Sequence, residues 1–94
     1  MDAFTVQMTG SAIDDLQDIR LRFREQIVAA IKKLSANPLV SGTGVKKLKG
    51  FKPPLYRLRS GDYRVLYRIE DRMITIMRVI VRKELDKTIK RLHL

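Results

Sequence analysis

One segment of alternating residues, YRLRSGDYRVLYRI at positions 56–69, constrains the fold more than any other part of this 94-residue chain. Apolar and basic side chains alternate on both sides of a Ser-Gly-Asp sequence, which is typical of a tight turn. A period of two places successive side chains on opposite faces of a strand. The segment therefore predicts a β-hairpin with an apolar face and a solvent-facing basic face. The basic face carries Arg57, Arg59, Arg64 and Arg68.

The residues before this hairpin predict one strand and two helices. Alternation over positions 4–8 indicates a short strand, and Ser11 followed by Asp14 resembles a capping box, so we expect a helix to begin directly after Ser11. Two apolar series at helical spacing follow, and we expect a turn at 20–22 between two antiparallel helices. The second helix should end at the Asn-Pro pair at 37–38, because a residue before proline avoids the helical conformation.

The rest of the chain predicts a loop, a meander and a terminal helix. Positions 39–54 contain three glycines and two prolines and predict a loop. A second turn at 70–72 leads to a nearly all-apolar strand at 73–81, and 84–92 predicts a short helix. We therefore expect a single α+β domain over 1–94. Its N-terminal strand and two-helix hairpin should pack on one face of an antiparallel sheet completed by a three-strand meander.

Charge is distributed unevenly along the chain. The net charge is +10, and positions 1–45 are neutral, with five basic and five acidic residues. Positions 46–94 hold 15 basic and five acidic residues, so the whole excess lies there. A cationic half joined to a neutral half indicates a surface that binds a polyanion. A basic surface that serves only solubility is the alternative interpretation.

Composition excludes several classes of site. The chain has no cysteine and one histidine, His93, so it predicts no disulfide and no zinc site, and we expect no cofactor. It has no apolar run of the roughly 20 residues that a membrane span needs. The first ten residues lack the apolar core of a signal peptide, which predicts a cytoplasmic protein. The acids Asp14, Asp15 and Asp18 predict a solvated helix face.

The hairpin arginines and the lysines before them are the residues most suited to chemistry. Guanidinium groups stay charged and can match two phosphate oxygens at once, whereas lysines supply point charges. The same groups can stabilise the extra charge that develops when a neighbouring 2′-hydroxyl attacks RNA. The residue pattern therefore predicts a nucleic-acid-binding face with possible catalytic activity. The lysines in question are Lys46, Lys47, Lys49 and Lys52.

The order KKLKG at 46–50, YRLRSGDYRVLYRI, an apolar strand and RKEL at 82–85 resembles the RelE/ParE superfamily of toxins from toxin–antitoxin pairs. The likeness covers nearly the whole chain. It implies a compact sheet with helices on one side, and a cognate antitoxin, acidic in character, encoded beside the toxin and bound to it as a hetero-oligomer. In the RelE branch, the resemblance implies cleavage of mRNA on the ribosome without a metal ion.

The resemblance also carries site residues onto this sequence. It implies a catalytic set of Arg57, Arg59, Arg64 and Arg82, and RNA-binding roles for Lys83 and for the four lysines at 46–52. The family often has a histidine and a tyrosine in the segment that corresponds to 81–86, and this chain has valine and aspartate where they would lie. The proton acceptor therefore stays open among Glu84, Asp86, Lys83 and a group of the ribosome. Two alternatives also stay open, namely a ParE-like inhibitor of DNA gyrase and an inactive RNA-binding homologue.

Overall fold

A computed structural model describes residues 4–38 and 44–92. The helices and strands in these ranges are β1 (Thr5–Met8), α1 (Gly10–Gln17), α2 (Leu21–Ala36), β2 (Val45–Leu48), β3 (Leu55–Ser60), β4 (Tyr63–Glu70), β5 (Met73–Val81) and α3 (Leu85–Leu92). A 3-10 turn, Arg82–Glu84, joins β5 to α3. The described part of the chain contains no helix that is both long and apolar enough to cross a membrane.

The strands form one sheet in the order β1-β5-β4-β3-β2. The meander β3-β4-β5 is antiparallel, as the alternating pattern predicts, and β1 joins it as a parallel neighbour of β5. The α+β prediction, with a helical hairpin, a strand meander and a short C-terminal helix, is confirmed. The parallel pairing of β1 makes the sheet mixed, because the chain crosses over through α1 and α2 before it returns to the sheet.

The prediction of a loop over 39–54 is wrong for Val45–Leu48, which forms the edge strand β2. Its four residues pair with β3 from Val45 opposite Leu58 to Leu48 opposite Leu55. The apolar residues of β2 lie at its two ends, so the segment has no alternation of its own. Backbone hydrogen bonding to β3 makes it a strand, and such pairing cannot be seen in a local pattern.

The first helix begins earlier than the capping-box pattern predicts. Thr9 is the N-cap residue, and its hydroxyl accepts a hydrogen bond from the Ala12 amide at 3.1 Å. The same hydroxyl donates to the Met77 carbonyl on β5 at 2.8 Å. Ser11 lies instead within α1, whose first residue is Gly10. Both residue types cap helices well, and the hydrogen bond to β5 favours Thr9.

The turn between α1 and α2 lies slightly before the predicted position, because α2 begins at Leu21. No glycine or proline occurs there. The turn is stabilised by Arg24, whose Nε and Nη2 donate to the Ile19 carbonyl at 3.3 and 2.9 Å. Arg24 Nη2 also donates to the carbonyl of Gln17, the last residue of α1, at 3.3 Å. A side-chain donor from the start of α2 thus satisfies a carbonyl that the end of α1 leaves without a helical partner.

The main core lies between the helical hairpin and the sheet. Tyr67 is fully buried in it, and its hydroxyl donates to the Pro38 carbonyl at 2.7 Å, which joins β4 to the end of the helical hairpin. Burial raises the pKa of Tyr67, so this hydroxyl stays protonated. The buried residues that line this core include Ile27, Leu34, Val65, Ile74 and Ile76.

A second, smaller core lies on the opposite face of the sheet. Leu55, Leu66 and Ile80 are buried there, and Leu85 and Leu92 of α3 pack against them. The face that the alternation predicts to be solvent-exposed is therefore covered in its middle, and that part of the prediction is wrong. Burying one leucine stabilises the fold by about 1.5–3 kcal/mol. Arg57, Arg59 and Arg64 consequently lie toward one end of this face, and Arg68 lies toward the other.

Candidate functional site: an arginine-lined cleft

An open cleft with a volume of about 760 Å³ lies where the β3–β4 turn meets the end of β5 and the start of α3. It brings together all four arginines of the predicted catalytic set and Lys83. The lining residues are Arg57, Arg59, Asp62, Arg64, Val81, Arg82, Lys83, Leu85 and Asp86. Five of these nine side chains are cationic, so the cleft is suited to a ligand with several negative charges.

The strand register places the cationic side chains side by side. Arg59 lies directly opposite Arg64 in the β3–β4 ladder, and directly opposite residues present their side chains on the same face. Arg57 lies two positions before Arg59 on β3 and shares that face. Arg82 follows the last residue of β5, and its amide donates to the Asp62 carbonyl at 2.8 Å. This hydrogen bond holds the β3–β4 turn against the start of the 3-10 turn.

Arg64 is the buried member of the group, with 7% of its surface exposed. Its Nη1 donates to the Gly61 carbonyl at 3.0 Å and to the Tyr63 carbonyl at 2.9 Å. Because a guanidinium has five N–H donors, three remain without a partner among the residues that the structure describes. The two backbone contacts fix the plane of the guanidinium, so the remaining donors point in a defined direction.

The cleft is electrostatically unfavourable while it holds no anion. The pKa of Arg64 is lowered from its ordinary value, first because burial removes water from the guanidinium. Repulsion from Arg57, Arg82 and Arg59 lowers this pKa further, and the negative charge of Asp62 opposes them. Arginine nevertheless stays charged at any working pH. The strain therefore cannot be relieved by loss of a proton, and an anion in the cleft would relieve it.

Gly44, directly before the edge strand β2, helps to position two of the arginines through its carbonyl. Its carbonyl accepts a hydrogen bond from Arg57 Nη1 at 3.2 Å and another from the Arg59 amide at 3.1 Å. Gly44 has a positive φ of 87°, and a Cβ at this position would lie 3.2 Å from the Arg59 Cβ. Only glycine adopts this conformation readily at such close approach. The only sign of this role in the sequence was the glycine itself, which we counted as evidence for a loop.

The four predicted RNA-binding lysines of positions 46–52 do not line the cleft. Lys46 lies opposite Arg57 in the β2–β3 ladder, on the arginine side of the sheet, whereas Lys47 lies opposite Tyr56 on the other side. Lys47, Lys49 and Lys52 line a separate surface depression beside Phe51. The predicted nucleic-acid-binding face of arginines and lysines is therefore divided into two regions.

Two arginines outside the predicted catalytic set have structural partners. Arg68 Nη1 donates to the Pro53 carbonyl at 3.0 Å, and its guanidinium lies 5.7 Å from the centre of the Phe51 ring. Arg78 forms a two-point ion pair with Asp15, at 2.7 and 3.1 Å, and this hydrogen bonding raises its pKa. Neither side chain lines the cleft.

Asp15 is a structural residue, so the prediction that it belongs to a solvated helix face is wrong. Besides the pair with Arg78, one of its carboxylate oxygens accepts the Val79 amide at 2.9 Å. β1 pairs with β5 only as far as Ile76. The carboxylate of α1 therefore satisfies an amide that the partner strand does not reach, and it attaches the helix to the sheet.

Two carboxylates, Asp62 and Asp86, line the cleft. Of the three residues left open as proton acceptors, Asp86 and Lys83 reach it. Glu84 does not line the cleft, and its Oε2 lies 4.0 Å from Lys87 Nζ. Asp62 was missed because a Gly-Asp pair between strands has a sufficient explanation as a turn. Within the described residues there is no cluster of three or more acidic or histidine side chains that could bind a metal ion.

Comparison with known proteins places this chain in a family. Residues 6–86 match the model of the ParE toxin of type II toxin–antitoxin systems. No curated protein sequence gives a significant match to the chain.

Solved structures give the same result. A chain of the archaeal RelE–RelB complex from Pyrococcus horikoshii matches with a TM-score of 0.75 and 27% identity, over 85% of this chain and 96% of that one. A chain of the RelBE2 toxin–antitoxin complex from Mycobacterium tuberculosis matches with a TM-score of 0.72 and 34% identity, over 85% and 99%. The E. coli RelBE complex, at 23% identity and a TM-score of 0.70 over 84% and 96%, shares the fold. The expected resemblance is confirmed, and this chain belongs to the RelE/ParE superfamily of toxins from type II toxin–antitoxin systems.

Proposed function

We propose that this toxin is an endoribonuclease that cleaves mRNA on the ribosome, without a metal ion, and so inhibits translation. The observation that carries the proposal is the convergence of Arg57, Arg59, Arg64, Arg82 and Lys83 on one open cleft. Planar guanidinium groups bind phosphate oxygens in pairs, and the open form of the cleft suits a single RNA strand with its bases turned outwards.

In the proposed reaction, the 2′-oxygen of the RNA attacks the adjacent phosphorus and displaces the 5′-oxygen of the next nucleotide. The products are a 2′,3′-cyclic phosphate and a 5′-hydroxyl. Negative charge on the phosphate oxygens grows in the transition state. The three unpartnered N–H groups of Arg64, oriented by its bonds to Gly61 and Tyr63, would donate to these oxygens, and Arg57, Arg59 and Arg82 would add positive charge around them.

We also propose that a cognate acidic antitoxin binds the toxin in a hetero-oligomer in the cytoplasm. Relatives from Pyrococcus horikoshii and Mycobacterium tuberculosis were solved as complexes with antitoxins. A chain of net charge +10 attracts an acidic partner over long range. The lysines near β2, Lys46, Lys47, Lys49 and Lys52, would contact ribosomal or messenger RNA outside the cleft.

The test uses ribosomes programmed with a short mRNA and purified toxin. We expect cleavage at the codon in the decoding site, with cyclic phosphate at the new 3′ end. An mRNA with a 2′-deoxynucleotide at that position should bind equally well and stay intact, because the nucleophile is missing. Cleavage of the 2′-deoxy mRNA would refute the mechanism, and failure to cleave the unmodified mRNA would refute the proposed function.

Inhibition of DNA gyrase is the second candidate, and the match of residues 6–86 to the ParE family model favours it. This function needs protein–protein contact and no bond cleavage. A gyrase supercoiling assay with the toxin separates the two candidates. Inhibition of supercoiling together with intact mRNA would assign the toxin to the gyrase branch, whereas a protein that does neither and still binds RNA would be an inactive RNA-binding homologue.

A further inference from the structure

The proposed cleavage needs a group that removes the proton of the 2′-hydroxyl, and the arginines of the cleft cannot be that group. A guanidinium is a donor only and keeps its charge in proteins. The family's histidine and tyrosine have no counterpart in the corresponding stretch of this chain, 81–86. The remaining polar side chains that line the cleft are Lys83, Asp62 and Asp86. A lysine must first lose its own proton to act as a base, whereas an ionised carboxylate can accept one directly.

Asp62 is an exposed turn residue that lines the cleft beside the cationic group, and its backbone is fixed there. Its carbonyl accepts the Arg82 amide at 2.8 Å, and it follows Gly61, whose positive φ of 57° forms the tight turn between β3 and β4. These strands carry the directly opposed Arg59 and Arg64. The charge of Asp62 acts on Arg64 and partly offsets the repulsion from the other arginines. A phosphate bound by the arginines would therefore lie in the cleft that the Asp62 side chain also lines.

Asp86 is less suited to the same role. It lies in the first turn of α3. It also approaches the cleft from α3, whereas Arg57, Arg59 and Arg64 all belong to the β3–β4 hairpin. Asp62 belongs to that same hairpin, so its distance from the phosphate-binding groups is set by a few residues of chain.

We propose that Asp62 is the general base of the cleavage reaction, an inference that rests on the ribonuclease function proposed above. A carboxylate oxygen of Asp62 takes the proton as the 2′-O–H bond breaks and the 2′-O–P bond forms. The P–O5′ bond then breaks, and the departing 5′-oxygen takes a proton from water in the open cleft. Asp62 returns its proton to solvent and is ready for another turnover.

The experiment compares wild-type toxin with Asp62→Asn and Asp62→Glu in single-turnover cleavage on programmed ribosomes. Glu70→Gln at the far end of β4 is the matched control, because it removes one exposed carboxylate outside the cleft. We expect Asp62→Asn to lower the cleavage rate by about 10²- to 10⁴-fold. We expect Asp62→Glu to recover part of the rate and Glu70→Gln to cleave as wild type does.

A binding measurement separates a base from a residue that only supports the structure. Asp62→Asn removes a negative charge from a cationic cleft, so its binding to 2′-deoxy mRNA on the ribosome should be equal to or tighter than that of wild type. Slow cleavage with intact binding would support the proposal.

Other outcomes overturn it. If wild type cleaves and Asp62→Asn cleaves as fast, Asp62 is not the base, although the ribonuclease function stands. A large loss in Asp86→Asn with none in Asp62→Asn would assign the role to Asp86. Weakened binding by Asp62→Asn in proportion to its lost activity would make Asp62 a structural residue. If wild type cleaves no mRNA, the ribonuclease function fails first, and the assignment of Asp62 fails with it.

Discussion

Replacing Arg64 with alanine is the sharpest test of the cleft, because this side chain is buried and two hydrogen bonds to backbone carbonyls orient its guanidinium. In the folded protein its Nη1 donates to the carbonyls of Gly61 and Tyr63 at 3.0 and 2.9 Å, and the residue lines the cleft. Alanine removes these donors and leaves the neighbouring arginines on β3 and in the 3-10 turn in place. The variant therefore loses one oriented group from an otherwise intact cationic site.

The expected loss of activity follows from the number of donors removed. Deleting one donor group that stabilises transition-state charge costs about 10²- to 10³-fold in rate, or about 3–4 kcal/mol. Arg64→Lys should recover only part of this, because a single ammonium cannot contact two backbone carbonyls and also offer a planar pair of donors to phosphate.

The stability of Arg64→Ala should change much less than its activity. The two lost hydrogen bonds from a charged donor are worth about 1.5–3 kcal/mol each. Their loss is offset because alanine also removes the repulsion and the burial of charge that lower the pKa of Arg64. Since that pKa lies far above neutrality in either state, the offset does not depend on pH between 5 and 9. We expect a net change in the free energy of unfolding below about 2 kcal/mol.

Two assays measure these effects, namely single-turnover cleavage on programmed ribosomes and growth arrest on induced expression. Arg68→Ala is the matched control, because Arg68 lies four positions along the same strand and face, also donates to a carbonyl, and does not line the cleft. Full toxicity and full cleavage by Arg64→Ala, with a native unfolding curve, would refute the assignment of the cleft. Equal losses in Arg64→Ala and Arg68→Ala would show that removing any arginine from this face has the same effect.

Two further predictions concern the contacts that hold the site in place, and thermal unfolding followed by circular dichroism measures both. Asp15→Asn weakens the ion pair to Arg78 and should lower the free energy of unfolding by about 2 kcal/mol, or the melting temperature by about 10 °C. Asp14→Asn is the control, because it alters an exposed neighbour and should change the melting temperature little. An unchanged melting temperature in Asp15→Asn would contradict the structural role of that residue. Gly44→Ala places a side chain at a positive-φ position against β3. It should lower the free energy of unfolding by at least about 1 kcal/mol and slow cleavage. Gly10→Ala is the control, because its Cβ position has open space around it, and it should leave the stability unchanged. Equal melting temperatures for the two glycine variants would contradict this account of Gly44.

Local patterns predicted most of the fold. The alternation at 56–69 predicted β3, the turn and β4, and the Asn-Pro pair at 37–38 predicted the end of α2. The apolar run at 73–81 is β5 residue for residue. These features depend on period, turn chemistry and the restriction before proline, all of which act over a few neighbouring residues.

The prediction was wrong where a distant contact decides the local structure. β2 is a strand because β3 pairs with it, and Thr9 caps α1 in part because it reaches the Met77 carbonyl. Asp15 is a residue type that is usually exposed on a helix, but here it accepts hydrogen bonds from Arg78 and from the Val79 amide. Each of these choices depends on groups roughly 10 to 70 positions away, which no local window contains.

The candidate site divides in the same way. The sequence by itself determined which residues are cationic, and the strand period determined that Arg57, Arg59 and Arg64 share a face. Only the tertiary structure decided that α3 covers the middle of that face, that Arg64 is buried at its open end, and that Asp62 joins the arginines. The reason is physical. Charge and periodicity belong to the chain, whereas burial and the meeting of side chains depend on how separate elements pack.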